Sequence, residues 1–229
     1  MHIALIPDGN RRYMKKKGIL NLRESYKKGI IKFYDFLDWC SKLNVNEVTI
    51  YALSLENIEN RSPAEIETLI NVFSNQANDA LRDERIHKNK IHINVCGDRD
   101  HIVKKFGNPA GKELVENLNK LEDATKDYSD LTLNLTIAYG SRQEIINSVK
   151  NLVAKKLEIN EENIKDNLWV KDYPDIIIRT AEDRLSNFLL WQSAYSEIYF
   201  IDKLWQEFDE EDLVRIVNDY KSRERRFGR

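Results

Sequence analysis

Short runs of branched apolar residues alternate along this chain with longer stretches whose apolar positions recur every three or four residues. The short runs, at 3–6, 47–53, 91–95, 131–138, 175–179 and 198–201, read as strands. The longer ones, at 26–42, 63–85, 112–126, 141–156 and 210–222, read as helices. In 26–42 the apolar stripe is Ile30, Phe33, Leu37 and Cys40; in 63–85 it is Ile66, Leu69, Ile70, Phe73, Ala77 and Leu81. Ser62 stands as N-cap of the latter helix, with Pro63 in its first turn and Glu65 three residues after the cap. The alternation predicts an α/β fold, a single domain with a central parallel sheet of about six strands flanked by helices. No internal repeat, low-complexity segment or linker interrupts it.

Ligands of such sheets bind at the carboxyl ends of the strands. After the first strand comes the turn Pro7-Asp8-Gly9-Asn10, then Arg11, Arg12, Lys15, Lys16 and Lys17 in the first turns of a helix. Free backbone N–H groups and the positive end of a helix would there face one spot, which suits an anion. Asp8 among these cations makes sense if a divalent cation lies between it and a phosphate. The plainer alternative is that Asp8 caps the helix above a solvated basic face. The other strand ends carry Ser54, Glu56, Asn57 and Arg61; Gly97-Asp98-Arg99; Tyr139-Gly140-Ser141-Arg142; and Arg179, Glu182, Asp183, Arg184 and Ser186. Any one of these loops also reads as a hydrated turn. Five of them at one edge favour a polyanion and metal site, since arginine forks bind phosphate bidentately.

Composition narrows the classes. The 229 residues suffice for one α/β domain with a sizeable core. Charged residues make up 32% and apolar ones 41%, the balance of a soluble globular protein. A net charge of −2 argues against a nucleic-acid coat. Cys40 and Cys96 form neither a disulfide framework nor a zinc site and suit a reducing cytosol. No signal peptide precedes the first strand and no apolar run reaches membrane-span length, so any membrane contact is expected to be peripheral.

Several look-alikes fail on spacing. Residues 107–112 resemble a P-loop, but one residue is missing and Glu113 stands where a Ser or Thr must hold magnesium. His87, His92 and His101 lack partners at ligand spacing. No nucleophile elbow is present. The acidic run 209–212 opens a helix, where acids complement the dipole.

Residues 175–200 read DIIIRTAEDRLSNFLLWQSAYSEIYF, with IPDGNRRYMKKKG at the start and SRERRFG at the end. In the order and spacing of five blocks the chain resembles the cis-prenyltransferase family, whose best-known members are the undecaprenyl diphosphate synthases. The DDxxD pattern of trans-type synthases is absent. The resemblance implies a parallel sheet flanked by helices, an elongated hydrophobic tunnel and a homodimer. It implies magnesium-dependent condensation of an allylic prenyl diphosphate with isopentenyl diphosphate, building Z double bonds. It makes Asp8 and Asn57 the expected catalytic residues, and Asp8 and Glu197 the expected metal carboxylates. Gly9, Asn10 and Arg12 are expected at the allylic diphosphate and Arg179, Arg184 and Ser186 at isopentenyl diphosphate, with Arg11 and Arg61 as further substrate-binding residues. Arg226 and Gly228 match a C-terminal motif that reaches the partner's substrate. The chain departs from the family at Arg11-Arg12-Tyr13, at Ser25-Tyr26, before Pro63 and at Ala181-Glu182.

On this reading the allylic C–O bond ionises, and the charge left on diphosphate is stabilised by groups around Asp8. The second diphosphate is held so that its alkene meets the allylic carbon, which is catalysis by positioning. The tail needs a dry tunnel, for which helices 26–42 and 63–85 are the expected walls. Two other readings are a non-catalytic partner subunit and a nucleic-acid binder using Lys221 to Arg229. The retained Asp8 and the absence of an aromatic stacking platform argue against them. An acceptor other than isopentenyl diphosphate is a variant of the enzyme reading. A cytoplasmic enzyme with peripheral membrane contact and no nucleic-acid partner is the resulting expectation.

Overall fold

The computed structural model describes residues 1–107 and 109–223. Strand β1 (His2–Ile6) is buried along its whole length and pairs on both sides, with β2 (Glu47–Ser54) and β5 (Ile176–Thr180). β4 (Leu131–Tyr139) and β3 (Ile91–Cys96) extend the sheet beyond β2, and β6 (Glu197–Ile201) forms the edge beyond β5. The order is β3-β4-β2-β1-β5-β6, with every pairing parallel. Successive crossovers carry α1 (Asn10–Lys16) and α2 (Leu22–Lys42); α3 (Leu55–Asn60), α4 (Pro63–Ala80) and α5 (Glu84–Lys88); α6 (Arg99–Phe106) and α7 (Ala110–Thr125); and α8 (Ser141–Lys155) and α9 (Glu161–Asp166). A 3₁₀ turn at Trp205–Glu207 and α10 (Glu210–Ser222) follow β6.

The period of two along each strand sorts the core into layers. Ile3, Leu5, Val48, Ile50, Ile176 and Ile178 belong to the main core with Phe36 of α2, Ile70 of α4, Leu118 of α7 and Leu213 of α10. Ala4, Ile6 and Ile177 turn the other way, onto Val170, Phe188 and Leu189. A small satellite of Leu152, Ile164 and Leu168 joins α8 to α9. A fully buried aliphatic or aromatic side chain contributes about 1.5–3 kcal/mol. β1 and β5, at the centre of the sheet, are covered on both faces, which explains their unbroken apolar runs.

The helix expected over 63–85 is two helices. Ser62 caps α4 as expected, accepting from Glu65 N at 3.3 Å. α4 then stops at Ala80, because the Asp83 carboxylate takes Arg85 N at 3.0 Å and starts α5. α2 begins at Leu22, four residues before the expected start at 26, where Asn21 accepts from Arg23 N. α3, α5, α6 and α9 are too short for a periodic stripe, and each opens on a polar cap: Ser54, Asp83, Asp98 and Asn160. The acidic run 209–212 does open α10, with Asp209 and Asp212 closing a capping box.

The chain leaves β1 toward β2 on one side and leaves β5 toward β6 on the other. The sheet's topological switch therefore lies between β1 and β5, and a crevice opens above their carboxyl ends. Asp8 and Arg179 stand there.

Candidate active site

Asp8 is held by its backbone and leaves its carboxylate to the crevice. Its N–H donates to Thr180 Oγ1 at 2.9 Å, and its carbonyl accepts from Thr180 Oγ1 at 2.8 Å and from Trp205 N at 3.0 Å. Trp205 is buried against Phe36 and Phe208 and donates its indole N–H to Gly29 O, so the loop is seated on the core. Gly9 follows with φ +105°, and a Cβ there would stand 2.8 Å from Leu204 Cδ2, so only glycine fits. Asp8 does not cap α1: its Oδ1 takes the adjacent Gly9 N–H at 2.6 Å, while Oδ2 faces Arg179 at 2.9 Å. Asn10, Arg11 and Arg12 are the first helical residues, whose N–H groups have no intrahelical acceptor.

Arg179 is buried at the end of β5 and organises the opposite wall. Besides Asp8 it donates to Ser186 Oγ at 2.6 Å and to the Arg184 carbonyl. The loop that brings these acceptors round is strained, with Ala181, Ser186, Asn187 and Leu189 all at positive φ. Each such residue costs on the order of 1 kcal/mol, a cost typical of functional loops. Arg12 donates to Ala181 O at 2.8 Å and pairs with Glu182 at 3.1 Å, and Arg184 pairs with the same carboxylate at 3.1 Å. The arginines of these pairs are about half-exposed or more and hold weakly, so a diphosphate can displace the carboxylate.

Arg61 completes the third side. It donates to Tyr26 Oη at 2.6 Å and to Asn57 Oδ1 at 3.3 Å, and pairs with Glu65 at 3.2 Å. Burial pushes the Tyr26 phenol up from its ordinary pKa. Arg11 lies 4.0 Å from Glu65. The Asn10 side chain is engaged elsewhere, donating to Pro7 O at 3.2 Å and accepting from Gln206 at 2.6 Å.

The structure thus gathers Asp8, Gly9, Asn10, Arg11, Arg12, Asn57, Arg61, Arg179, Arg184 and Ser186 around one cleft with an empty volume of about 2030 Å³. It does not bring Glu197 there. Glu197 opens β6 in register with Ile176, which is in register with Ile3, five residues below Asp8 and roughly 16 Å away along the strands. Its carboxylate pairs with Arg223 at 2.6 Å. Arg226 and Gly228 lie outside the described residues. Thr180, Trp205 and Asn187 are structural members of the site that no motif singled out.

A second, apolar cavity of about 1040 Å³ adjoins the cleft, and Pro7, Asn10, Tyr26, Tyr51 and Ala52 line both. Its walls are Ile30, Phe33 and Leu37 of α2, Phe73 and Ala77 of α4, Leu118 and Leu121 of α7, and the sheet beneath. Phe73 of α4 lines this cavity, whereas Leu69 of the same helix lines the cleft. An arginine-rich cleft joined to an apolar cavity fits an amphiphile with a polyanionic head and a hydrocarbon tail.

Among the described residues no group of three or more His, Cys, Asp and Glu could hold a metal ion. Of the other cleft carboxylates, Glu182 is ion-paired and Glu56 accepts from Asn187. The donor set fits magnesium held by Asp8 together with substrate oxygens, the usual mode of that ion, and not a protein cage.

Comparison with known proteins agrees with this geometry. The prenyltransferase family model described as undecaprenyl diphosphate synthase matches residues 6–228. The chain is 41% identical, over all of its length and 95% of the relative's, to a protein of Pyrobaculum aerophilum named tritrans,polycis-undecaprenyl-diphosphate synthase (geranylgeranyl-diphosphate specific). The crystal structure of a probable undecaprenyl diphosphate synthase from Campylobacter jejuni is similar at TM-score 0.81 and 31% identity, covering 100% of this chain and 98% of that one. Lavandulyl diphosphate synthase from Lavandula x intermedia, in complex with dimethylallyl diphosphate, is similar at TM-score 0.88 and 29% identity, with the same coverage.

Proposed function

The chain belongs to the undecaprenyl diphosphate synthase family of prenyltransferases, and from that premise we propose that it extends an allylic prenyl diphosphate with isopentenyl diphosphate to a Z-polyprenyl diphosphate. The observation that carries this reading is the continuity of the Asp8–Arg179 cleft with the apolar cavity past Tyr26 and Tyr51.

Arg12, Arg61 and the first N–H groups of α1 bind the allylic diphosphate and stabilise its charge as the C–O bond ionises. Arg179, Arg184 and Ser186 hold isopentenyl diphosphate, whose alkene is thereby presented to the allylic carbon. Asn57, beside Arg61, orients the groups between the two. Magnesium, held by Asp8 and diphosphate oxygens, would neutralise the leaving group. The cavity takes the growing chain, and each further isoprene unit buries five carbons, roughly 4 kcal/mol gross. The preferred starter is the twenty-carbon allylic diphosphate, as in the name of the Pyrobaculum relative.

The working unit is a homodimer. The β6 edge carries exposed Ile198 and Phe200 with Tyr195 beside it, an apolar strand edge that a second chain would cover. No helix among the described residues is long and apolar enough to cross a membrane, so delivery of a polyprenyl product calls for peripheral contact.

The test supplies labelled isopentenyl diphosphate and magnesium with allylic starters of ten, fifteen and twenty carbons, and analyses product length and double-bond geometry. Z-products, with the twenty-carbon starter preferred, are expected. A folded, magnesium-supplied protein that elongates none of them would overturn the reading.

A further inference from the structure

Seven cations line the cleft: Arg11, Arg12, Lys15, Arg61, Arg142, Arg179 and Arg184. Five of them pair with a carboxylate; of the seven, only Lys15 and Arg142 have no side-chain hydrogen bond or ion pair to another described residue. Lys15 is an exposed ammonium near the end of a short helix. Arg142 is different, because its backbone is fixed.

Arg142 stands second in α8, and the fixing is done by Asn187. Asn187 Oδ1 accepts from Arg142 N at 2.9 Å, its carbonyl accepts from Ser141 N at 2.8 Å, and its Nδ2 donates to Glu56 Oε1 at 2.7 Å. Ser141 Oγ returns a bond, accepting from Leu190 N at 2.9 Å. Gly140 lets the two chains approach, since a Cβ there would stand 2.8 Å from Asn187 Nδ2. One residue thereby ties the loops after β2, β4 and β5 together. It is adjacent to Ser186, which holds Arg179.

A guanidinium on a fixed backbone, facing a cleft of anion-binding groups and spoken for by no carboxylate, is ready for an anionic ligand. We propose that Arg142 binds the diphosphate of isopentenyl diphosphate, on the Ser186 side of the cleft, and that Asn187 is the residue that positions it. This rests on the function proposed above. The paired arginines must give up a carboxylate to bind; Arg142 gives up only water, so its contribution is to affinity in ground and transition state alike.

The experiment measures KM and kcat for each diphosphate in wild type, Arg142→Met, Arg142→Lys, Asn187→Ala and, as a control on the outer part of α8, Lys150→Met. Stabilisation of each protein by inorganic pyrophosphate is recorded beside it. Arg142→Met is expected to raise KM for isopentenyl diphosphate about tenfold or more, with kcat and the allylic KM little changed. Pyrophosphate stabilisation should fall in step. Arg142→Lys should lie between, because it keeps the charge and loses the fork. Asn187→Ala should reproduce the KM effect in part, and Lys150→Met should change nothing. An unchanged KM for isopentenyl diphosphate in Arg142→Met, or in Arg142→Lys should the former not fold, overturns this inference alone. So does a rise confined to the allylic KM. A wild-type protein that elongates nothing overturns the parent reading and this one with it.

Discussion

The two ends of the same sheet both carry polar clusters, and they are built in opposite ways. At the carboxyl end, arginines outnumber carboxylates, the covering loop is strained at four positions and the groups open on a cleft. At the amino end the cluster bonds within itself, with only the buried His2 Nδ1 left 3.8 Å from Glu47. His2 Nε2 meets Thr49 Oγ1 at 2.8 Å, Asn134 donates to Thr49 at 3.0 Å and to Glu47 at 2.6 Å, and the His2 N–H donates to Asp175 at 2.9 Å. His2, Thr49 and Asn134 are buried. Polar groups that satisfy one another out of water rigidify a fold; polar groups held under strain and left facing a cleft are arranged for a ligand. The difference predicts that substitutions at one end change catalysis and at the other change stability.

The largest departure should come from Arg179→Met. It removes the one guanidinium that joins Asp8, Ser186 and the Arg184 carbonyl, and elongation should fall by a hundredfold or more, about the loss of a preorganised charge contact. Because Asp8 and Ser186 can turn to water, the melting temperature should fall far less than activity implies; equal collapse of both would make Arg179 a core residue first. A smaller effect is expected of Phe73→Ala, which widens the apolar cavity without touching the cleft. Chromatography of products should show chains longer by one or two isoprene units, and unchanged length at full activity would remove Phe73 from the wall.

The amino end should answer to pH instead. Burial holds the His2 pKa down at about 4 and pushes the Glu47 pKa up to about 7, with the two side chains 3.8 Å apart. His2 is ordinarily at 6.5, so from pH 4 to 6.5 the unfolded chain binds the extra proton and stability rises with pH. Glu47 is ordinarily at 4.5, so from pH 4.5 to 7 the native state holds the extra proton and stability falls with pH. These slopes oppose each other in wild type. Glu47→Gln should leave the rising slope and His2→Asn the falling one, each below about 1.4 kcal/mol per pH unit and both without effect on elongation at neutral pH. Melting temperatures across that range check it; parallel slopes in the two variants would refute the assignment.

Much of the carboxyl end was legible in the sequence because chain order encodes it. Parallel strands put Asp8, Asn57, Arg179 and Ser186 at one edge whatever the side chains do, and the strands' unbroken apolar runs reveal the parallel sheet. What was not legible depends on contacts distant in the chain. The roles of Asn187 and Trp205 rest on such contacts: Asn187 bonds Glu56 and Arg142, and Trp205 N–H bonds the Asp8 carbonyl. Glu197 was expected as a metal carboxylate from its motif; within the chain, strand register places it toward the amino end of the sheet. The division of 63–85 into α4 and α5 turned on one Asp83 hydrogen bond that a periodic stripe does not record.

The most direct test of the functional assignment of the carboxyl end is the elongation rate of Asp8→Asn, measured with its melting temperature. The amide keeps the shape and can still accept from Gly9 N, but it carries no charge for Arg179 or a magnesium diphosphate. A loss of about a thousandfold in rate with an unchanged melting temperature is expected. A folded Asp8→Asn protein that elongates at the wild-type rate would contradict it.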